Sequence, residues 1–196
     1  MIKVLELFSG TRSVGKVCDE LGWDSVSVDL LSEATHKCDI MEFDYKQYPK
    51  DTFDIVWASP PCTEYSMAKS QGIRDIEGAN KIVLKTLEII NYFNSEYWFL
   101  ENPQTGKLKD QSFMKDLPFV DADYCMYGTP YRKRTRFWTN KKDISVLLCN
   151  KKCGSFIEGR HLGSCGTGGK GQGHNKSYSN RTYSLLEKYS IPPDLI

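Results

Sequence analysis

The chain has 196 residues, 40% of them hydrophobic and 26% charged, which suits one globular domain with its own core and room for a small appendage. No apolar run approaches the length of a membrane span, and the opening MIKVLELFSG lacks the layout of a signal peptide. No membrane partner is therefore expected. The seven cysteines, an odd number, fit poorly with a complete disulfide framework and point to a reducing, intracellular compartment, cytoplasmic or nuclear. The net charge of +1 hides an asymmetry. Residues 1–100 carry 10 Lys/Arg against 16 Asp/Glu, and residues 101–196 carry 16 against 9. The basic half is a candidate surface for a polyanion.

In chain order, KVLEL (3–7) is apolar and predicts a strand. VGKVCDELG (14–22) predicts a helix ended by Gly22. DSVSVD (24–29) alternates like a strand, and THKCDI (35–40) suits a short one. DIVWAS (54–59) predicts a buried strand, NKIVLKTLEIINYF (80–93) has helical spacing, and YWFLEN (97–102) is a further apolar strand. This rhythm predicts a doubly wound, Rossmann-like α/β sheet. Ligands of such sheets sit at the carboxyl ends of the strands, where Ser9, Asp29, Asp39, Cys62 and Glu101 fall. Beyond about residue 125 the rhythm breaks. YRKRTRFWTN is followed by a cysteine-containing stretch, the Gly-rich GSCGTGGKGQGHNKS (163–177), and a last predicted helix, RTYSLLEKYS (181–190), before Pro192 and Pro193.

Five places along the chain carry chemistry. ELFSGTRSVG (6–15) joins a strand to a helix through a turn whose backbone amides can bind an anion, or serve only as a tight βα connection. Asp29, 19 residues after Gly10, ends the next strand, where an acid can accept from ribose hydroxyls or cap a turn. In SPPC (59–62), two stiff prolines present Cys62 at a strand end, a place for a nucleophile more than for a buried structural thiol. In LENPQ (100–104), Glu101 follows an apolar strand, where burial can make it a proton donor. Arg132, Arg134 and Arg136 alternate, so on a strand they share a face; they can clamp phosphate or a base carbonyl, or form a charged edge.

Together these residues resemble the cytosine C5 DNA methyltransferase family. The order matches: FSG, the acid Asp29, CDI with Asp39, SPPC, ENP and RKRTR, across residues 3–138. The resemblance implies transfer of a methyl group from S-adenosylmethionine to C5 of cytosine in DNA, the target base being flipped out of a duplex. Cys62 would attack C6, and Glu101 would hold and protonate N3. Arg134 and Arg136 would match the family's two arginines, which hold the base and the catalytic loop. Phe8, Ser9, Gly10, Thr11, Ser59 and Pro60 would line the cofactor site, with Asp29 on the ribose and Asp39 on the adenine amino group. The same chemistry on RNA, and a non-catalytic nucleic-acid-binding relic of the fold, remain open beside it.

The sequence departs from the family at Arg132, where glutamine is usual, and at two further points. Arg12 stands where a second glycine is usual. Only 60 residues follow Arg136, where a longer target-recognition region is common, so recognition is minimal or comes from a partner. Such an architecture suits a small phage or viral enzyme. The organisation expected is a catalytic core over 1–140, a small Cys/His- and Gly-rich segment over 141–178, and a C-terminal helix returning to the core over 179–196. Within that segment Cys149, Cys153, His161 and Cys165 follow the spacing C-x3-C-x7-H-x3-C, which predicts a structural zinc site, with His174 as an alternative ligand. Lys141, Lys142, Lys151, Lys152, Arg160 and Lys170 lie close by in sequence and are suited to phosphates.

Overall fold

The structure is a computed structural model, and it describes residues 1–30, 33–67, 69, 71–163, 187 and 190–196. The predicted strands form. β1 spans Lys3–Leu7, β2 Asp24–Asp29, β3 His36–Lys37, β4 Ile55–Ala58 and β5 Tyr97–Pro103. Helix α1 spans Ser13–Leu21 and closes on Gly22, whose φ of 68° is the left-handed conformation that stops a helix. Helix α2 spans Ile76–Phe93 and begins four residues ahead of its apolar run. Asp75 sets that start by accepting from Gly78 N–H at 2.8 Å. Asn94, at φ 48°, ends it.

After β5 the chain adds two strands that the βαβ rhythm does not announce, β6 (Phe119–Asp123) and β7 (Arg134–Thr139). The seven strands form one sheet in the order β3-β2-β1-β4-β5-β7-β6. β1 to β5 pair in parallel, β7 runs antiparallel to β5, and β6 antiparallel to β7. The expected doubly wound fold is present, with an antiparallel edge. A second, two-stranded sheet, β8 (Phe156–Ile157) with β9 (Arg160–His161), lies in the Cys/His segment.

Alternate residues of each strand feed opposite faces. Leu5, Leu7, Val56 and Ala58 pack with Ile89, Ile90 and Phe93 of α2. Val4 and Trp57 pack on the other face with Val14 and Cys18 of α1. The C-terminal residues return to that second face, where Ile191 is buried and Leu195 and Ile196 pack beside it. The predicted helix 181–190 lies almost wholly outside the described residues. Among the described residues, no helix is long and apolar enough to cross a membrane.

Candidate active site

β1 has β2 on one side and β4 on the other, so the order of strands reverses there. The carboxyl ends of β1 and β4 therefore flank the crevice where an α/β sheet takes its ligand. The loop after β1 is tightly wound. Phe8, Gly10 and Arg12 all have positive φ, at 61°, 45° and 54°. Phe8 and Ser9 N–H both donate to Val28 O, at 2.8 and 3.2 Å, and Gly10 N–H donates to Asp29 Oδ2 at 2.9 Å. Asp29 thus sits against the glycine turn. Asp39, at the end of the segment after β3, accepts from Met41 N–H at 2.8 Å and is exposed. Ser59 N–H donates to Leu7 O at 3.2 Å and joins the β4 loop to the β1 loop. Thr11 Oγ1 lies 2.9 Å from Ser13 Oγ and 3.3 Å from Ser190 Oγ, so the C-terminal segment closes over this turn.

Beneath the turn lies Glu6, which sequence reading does not single out. Its two carboxyl oxygens accept from Val14 and Gly15 N–H at 3.1 and 3.0 Å, capping α1 from the strand. Burial raises its pKa to about 7, against the opposing pull of those two N–H groups and of Arg12.

Cys62 follows Pro60 and Pro61 on the loop leaving β4. Asn102, fully buried at the end of β5, donates through Nδ2 to Pro60 O at 2.9 Å and fixes that loop. One residue earlier, buried Glu101 faces a small polar cluster. Tyr124 Oη donates to Glu101 Oε1 at 3.3 Å, and Lys133 Nζ lies 3.5 Å from the same oxygen and 4.6 Å from the Tyr124 ring centroid. Burial raises the Cys62 thiol above its ordinary range. The charge of Glu101 adds to this, and Lys133 draws it back. Cys62, Glu101 and Lys133 are therefore within electrostatic reach of one another. Past Cys62 the loop is tied by Arg74, which donates to the carbonyls of Glu64, Ser66 and Lys69 at 2.7–2.8 Å.

The arginines share a face as their alternation predicts, and carboxylates on β6 occupy their forks. Arg136 makes a bidentate pair with Asp121 at 2.7 and 2.9 Å. Arg134 makes another with Asp123 at 3.0 and 2.7 Å, and Arg132 adds a bond at 3.0 Å. Asp123 has no exposed side-chain area. Its burial disfavours charge, yet bonds from Arg134, Arg132 and Cys149 N–H outweigh this and hold the carboxyl below its usual range. The cation beside Glu101 is Lys133, between two of the arginines. D-x-D at 121–123 against R-x-R at 134–136 was the sequence signal for this pairing.

Cys149, Cys153 and His161 come together as their spacing predicts. The fourth member of the cluster is Cys125, directly after Tyr124; its ligand atom and those of the other three all lie within 4.8 Å of one another. Cys165 and His174 lie outside the described residues.

A family model described as C-5 cytosine-specific DNA methylase matches residues 29–116. A Frog virus 3 (isolate Goorha) protein named "Probable DNA (cytosine-5)-methyltransferase" is 33% identical over an alignment that takes in all of this chain and 97% of the viral one. The chain belongs to the C-5 cytosine-specific DNA methyltransferase family. Among solved structures, an E. coli "putative DNA modification methyltransferase encoded within prophage" has a TM-score of 0.57 at 17% identity, over 74% of this chain and 49% of that one. S. pombe Dnmt2 methyltransferase has a TM-score of 0.50 at 17% identity, over 75% and 52%. The methyltransferase fold is thus shared, in a chain that spans about half the length of those two.

In this methyltransferase, Tyr124 and Lys133 beside Glu101, and the two β6 aspartates against the arginines, are contacts that the motifs alone do not reveal. Asn102 Oδ1 is buried without a hydrogen-bond partner, on the same side chain that clamps Pro60.

Proposed function

We propose that the protein transfers a methyl group to C5 of cytosine in DNA, with Cys62 as nucleophile and Glu101 as the acid that holds N3. One observation carries this reading: a proline-stiffened cysteine, clamped by Asn102, within electrostatic reach of a buried glutamate at the switch of the sheet. Attack of the Cys62 thiolate on C6 forms an S–C bond and moves the C5–C6 π electrons toward C5. Glu101 hydrogen-bonds N3 and takes up the charge that develops there. Once C5 carries the new methyl group, loss of its proton to water and departure of the Cys62 thiolate restore the ring. Lys133 stabilises the charge on this pair, and Arg134 and Arg136 order the wall behind it.

S-adenosylmethionine supplies the electrophilic methyl. The crevice fits a nucleoside cofactor through the wound turn of Phe8, Ser9, Gly10 and Thr11, the acids Asp29 and Asp39, and Ser59 with Pro60 on the facing loop. A structural zinc in the C-terminal segment and an intracellular setting of viral or phage type belong to the same reading. So does a sequence requirement on DNA that is slight or supplied by a partner.

A covalent trap tests the reading. DNA carrying 5-fluorocytosine cannot lose its C5 substituent as a proton, so the protein with S-adenosylmethionine should give a denaturation-resistant adduct that Cys62→Ala abolishes. Absence of an adduct on several DNAs and formation of one on fluorinated RNA would move the substrate to RNA. Absence on both, with S-adenosylmethionine still bound, would overturn catalysis and favour a binding relic. The raised Cys62 thiol gives a second readout. Glu101→Gln removes a nearby negative charge, so the pH midpoint for alkylation of Cys62 by iodoacetamide should fall.

A further inference from the structure

We infer that Cys125, Cys149, Cys153 and His161 form a closed zinc site, and that its metal braces the wall behind the reacting pair. The bracing role rests on the reading of Cys62 and Glu101 given above. The metal site itself does not.

The four ligand atoms come from three separate segments. Cys125 follows the end of β6, Cys149 and Cys153 lie on one loop, and His161 ends the hairpin of β8 and β9. A tetrahedral site with Zn–S near 2.3 Å and Zn–N near 2.0 Å places its ligand atoms about 3.5–3.8 Å apart. Cys149 Sγ and His161 Nε2 stand at 3.4 Å, and all four atoms lie within 4.8 Å. A modest contraction around an ion closes the site. Three thiols and an imidazole are a structural donor set, with no position left for water.

The surrounding backbone is arranged for such a centre. Lys151, held at φ 72°, turns its N–H toward Cys149 Sγ at 3.4 Å, a bond that stabilises a thiolate. Apart from hydrogen bonds such as Cys149 N–H to Asp123 and Gly163 N–H to Pro130 O, the segment has little to hold its shape. β8 and β9 have two residues each, and a hairpin of that size is not stable alone. Of residues 141–163, only Val146 packs against a core cluster.

Charge completes the case. On binding Zn2+, the three thiols release three protons, leaving a centre of charge −1 with neutral His161. Beside it sits Asp123, also −1, which accepts from Cys149 N–H at 2.7 Å. Arg132 and Arg134, both on Asp123, bring the local total to zero. Without the metal, two cations face one carboxylate and three thiols.

The link to catalysis is the run Asp123-Tyr124-Cys125. Asp123 holds Arg132 and Arg134, Tyr124 donates to Glu101, and Cys125 holds the metal. A metal that fixes Cys125 and Cys149 therefore fixes both sides of Asp123 and the tyrosine that orients Glu101. This fourth ligand is drawn from the catalytic core, so the small segment is stapled to the core rather than closed upon itself.

The test uses the full chain purified without chelator. Elemental analysis should find one zinc per chain, and replacement by Co2+ should give the thiolate charge-transfer and intense visible bands of tetrahedral cobalt. Cys125→Ala and His161→Ala should lose the zinc, and Cys165→Ser should keep it. If Cys125→Ala fails to fold, the wild type and Cys165→Ser decide. No zinc in the wild type, either as purified or after reduction and reconstitution, overturns the site. So does a disulfide among the three cysteines in protein that takes no zinc. Loss of zinc in Cys165→Ser overturns this ligand set. For the bracing role, chelation should lower the melting temperature and change the rate of Cys62 alkylation, read by peptide mapping, several-fold. Zinc binding with neither change overturns the brace. A zinc-loaded chain that forms no adduct with fluorinated nucleic acid would instead count against the catalytic reading alone.

Discussion

The two halves of the main sheet share a packed apolar core, including Ala122, Phe137 and Trp138 of the antiparallel edge, and differ in what is added to it. In the parallel half, β1, β2, β4 and β5 bury Leu5, Leu7, Val28, Val56, Ala58 and Leu100 against the helices, and backbone turns set the loops. At the antiparallel edge, β7 and β6 are crossed by guanidinium–carboxylate pairs, and a Cys/His cluster adjoins them. Cys62 stands on the first half, and the residues facing Glu101 stand on the second. Packing is forgiving of detail but gives little direction, whereas charge pairs are directional and fail sharply when one member is lost. The loop of Cys62 and the wall around Glu101 should therefore respond to different perturbations.

The largest expected effect is at Asp123. Asp123→Ala leaves Arg132, Arg134 and Cys149 N–H without their common acceptor in a buried place, which should cost about 3–5 kcal/mol by urea unfolding. Asp121, partly exposed and paired with Arg136 alone, should cost less on the same change. Equal, small losses at both positions would mean that the packing of Ala122, Phe137 and Trp138 holds the edge without help from the charge pairs.

The second effect lies in the parallel half, at its one strongly perturbed carboxyl among the described groups. Glu6 has a folded pKa of about 7 against an ordinary 4.5, so the folded state holds a proton that the unfolded chain has lost between those values. Its contribution is full below about pH 4.5 and is lost as pH rises through about 7. The stability lost across that window should be about 3 kcal/mol. Glu6→Gln should flatten the dependence of the melting temperature on pH between 4.5 and 7. A variant that keeps the wild-type slope would place the titrating group elsewhere.

The same contrast explains what the sequence discloses. β1, α1, β2, β4, α2 and β5 are legible because apolar periodicity and caps are local: Val14 and Cys18 lie one helical turn apart, and Gly22 ends that helix. β6 is not legible. FVDAD is short and its apolar run is broken by two aspartates; it becomes a strand where Val120 and Ala122 pack on the core and Asp121 and Asp123 meet Arg136 and Arg134 across the β7 ladder. Cys125 is hidden for the same reason. It stands 24 positions before Cys149, and only the return of the chain along β7 brings the two together. The motifs disclose Cys62 and Glu101, because strand ends before Pro-Pro-Cys and Asn-Pro announce themselves. They do not disclose Tyr124 or Lys133, whose places depend on that edge pairing.

The smallest effect sharpens the comparison at the turn of Arg12. Arg12 caps α1 in the left-handed conformation, at φ 54°, where a glycine is the unstrained choice. Arg12→Gly should relieve about 1 kcal/mol of backbone strain. Against this stand the added freedom of the unfolded chain, about 0.4–1 kcal/mol, and loss of the exposed pair with Asp19. The net change in stability at neutral pH should fall within about 0.5 kcal/mol of zero. The guanidinium nevertheless reaches over Gly15 toward Glu6, and its charge lowers the pKa of that acid. Removing it should push the Glu6 titration upward, so the loss of stability with rising pH should end at a higher pH than in the wild type. A stability gain well above 1 kcal/mol with the titration unmoved would show that the arginine at this turn brings strain alone. The expected near-neutral change with a displaced titration would show that the arginine offsets its strain by holding charge on the carboxylate that caps the helix.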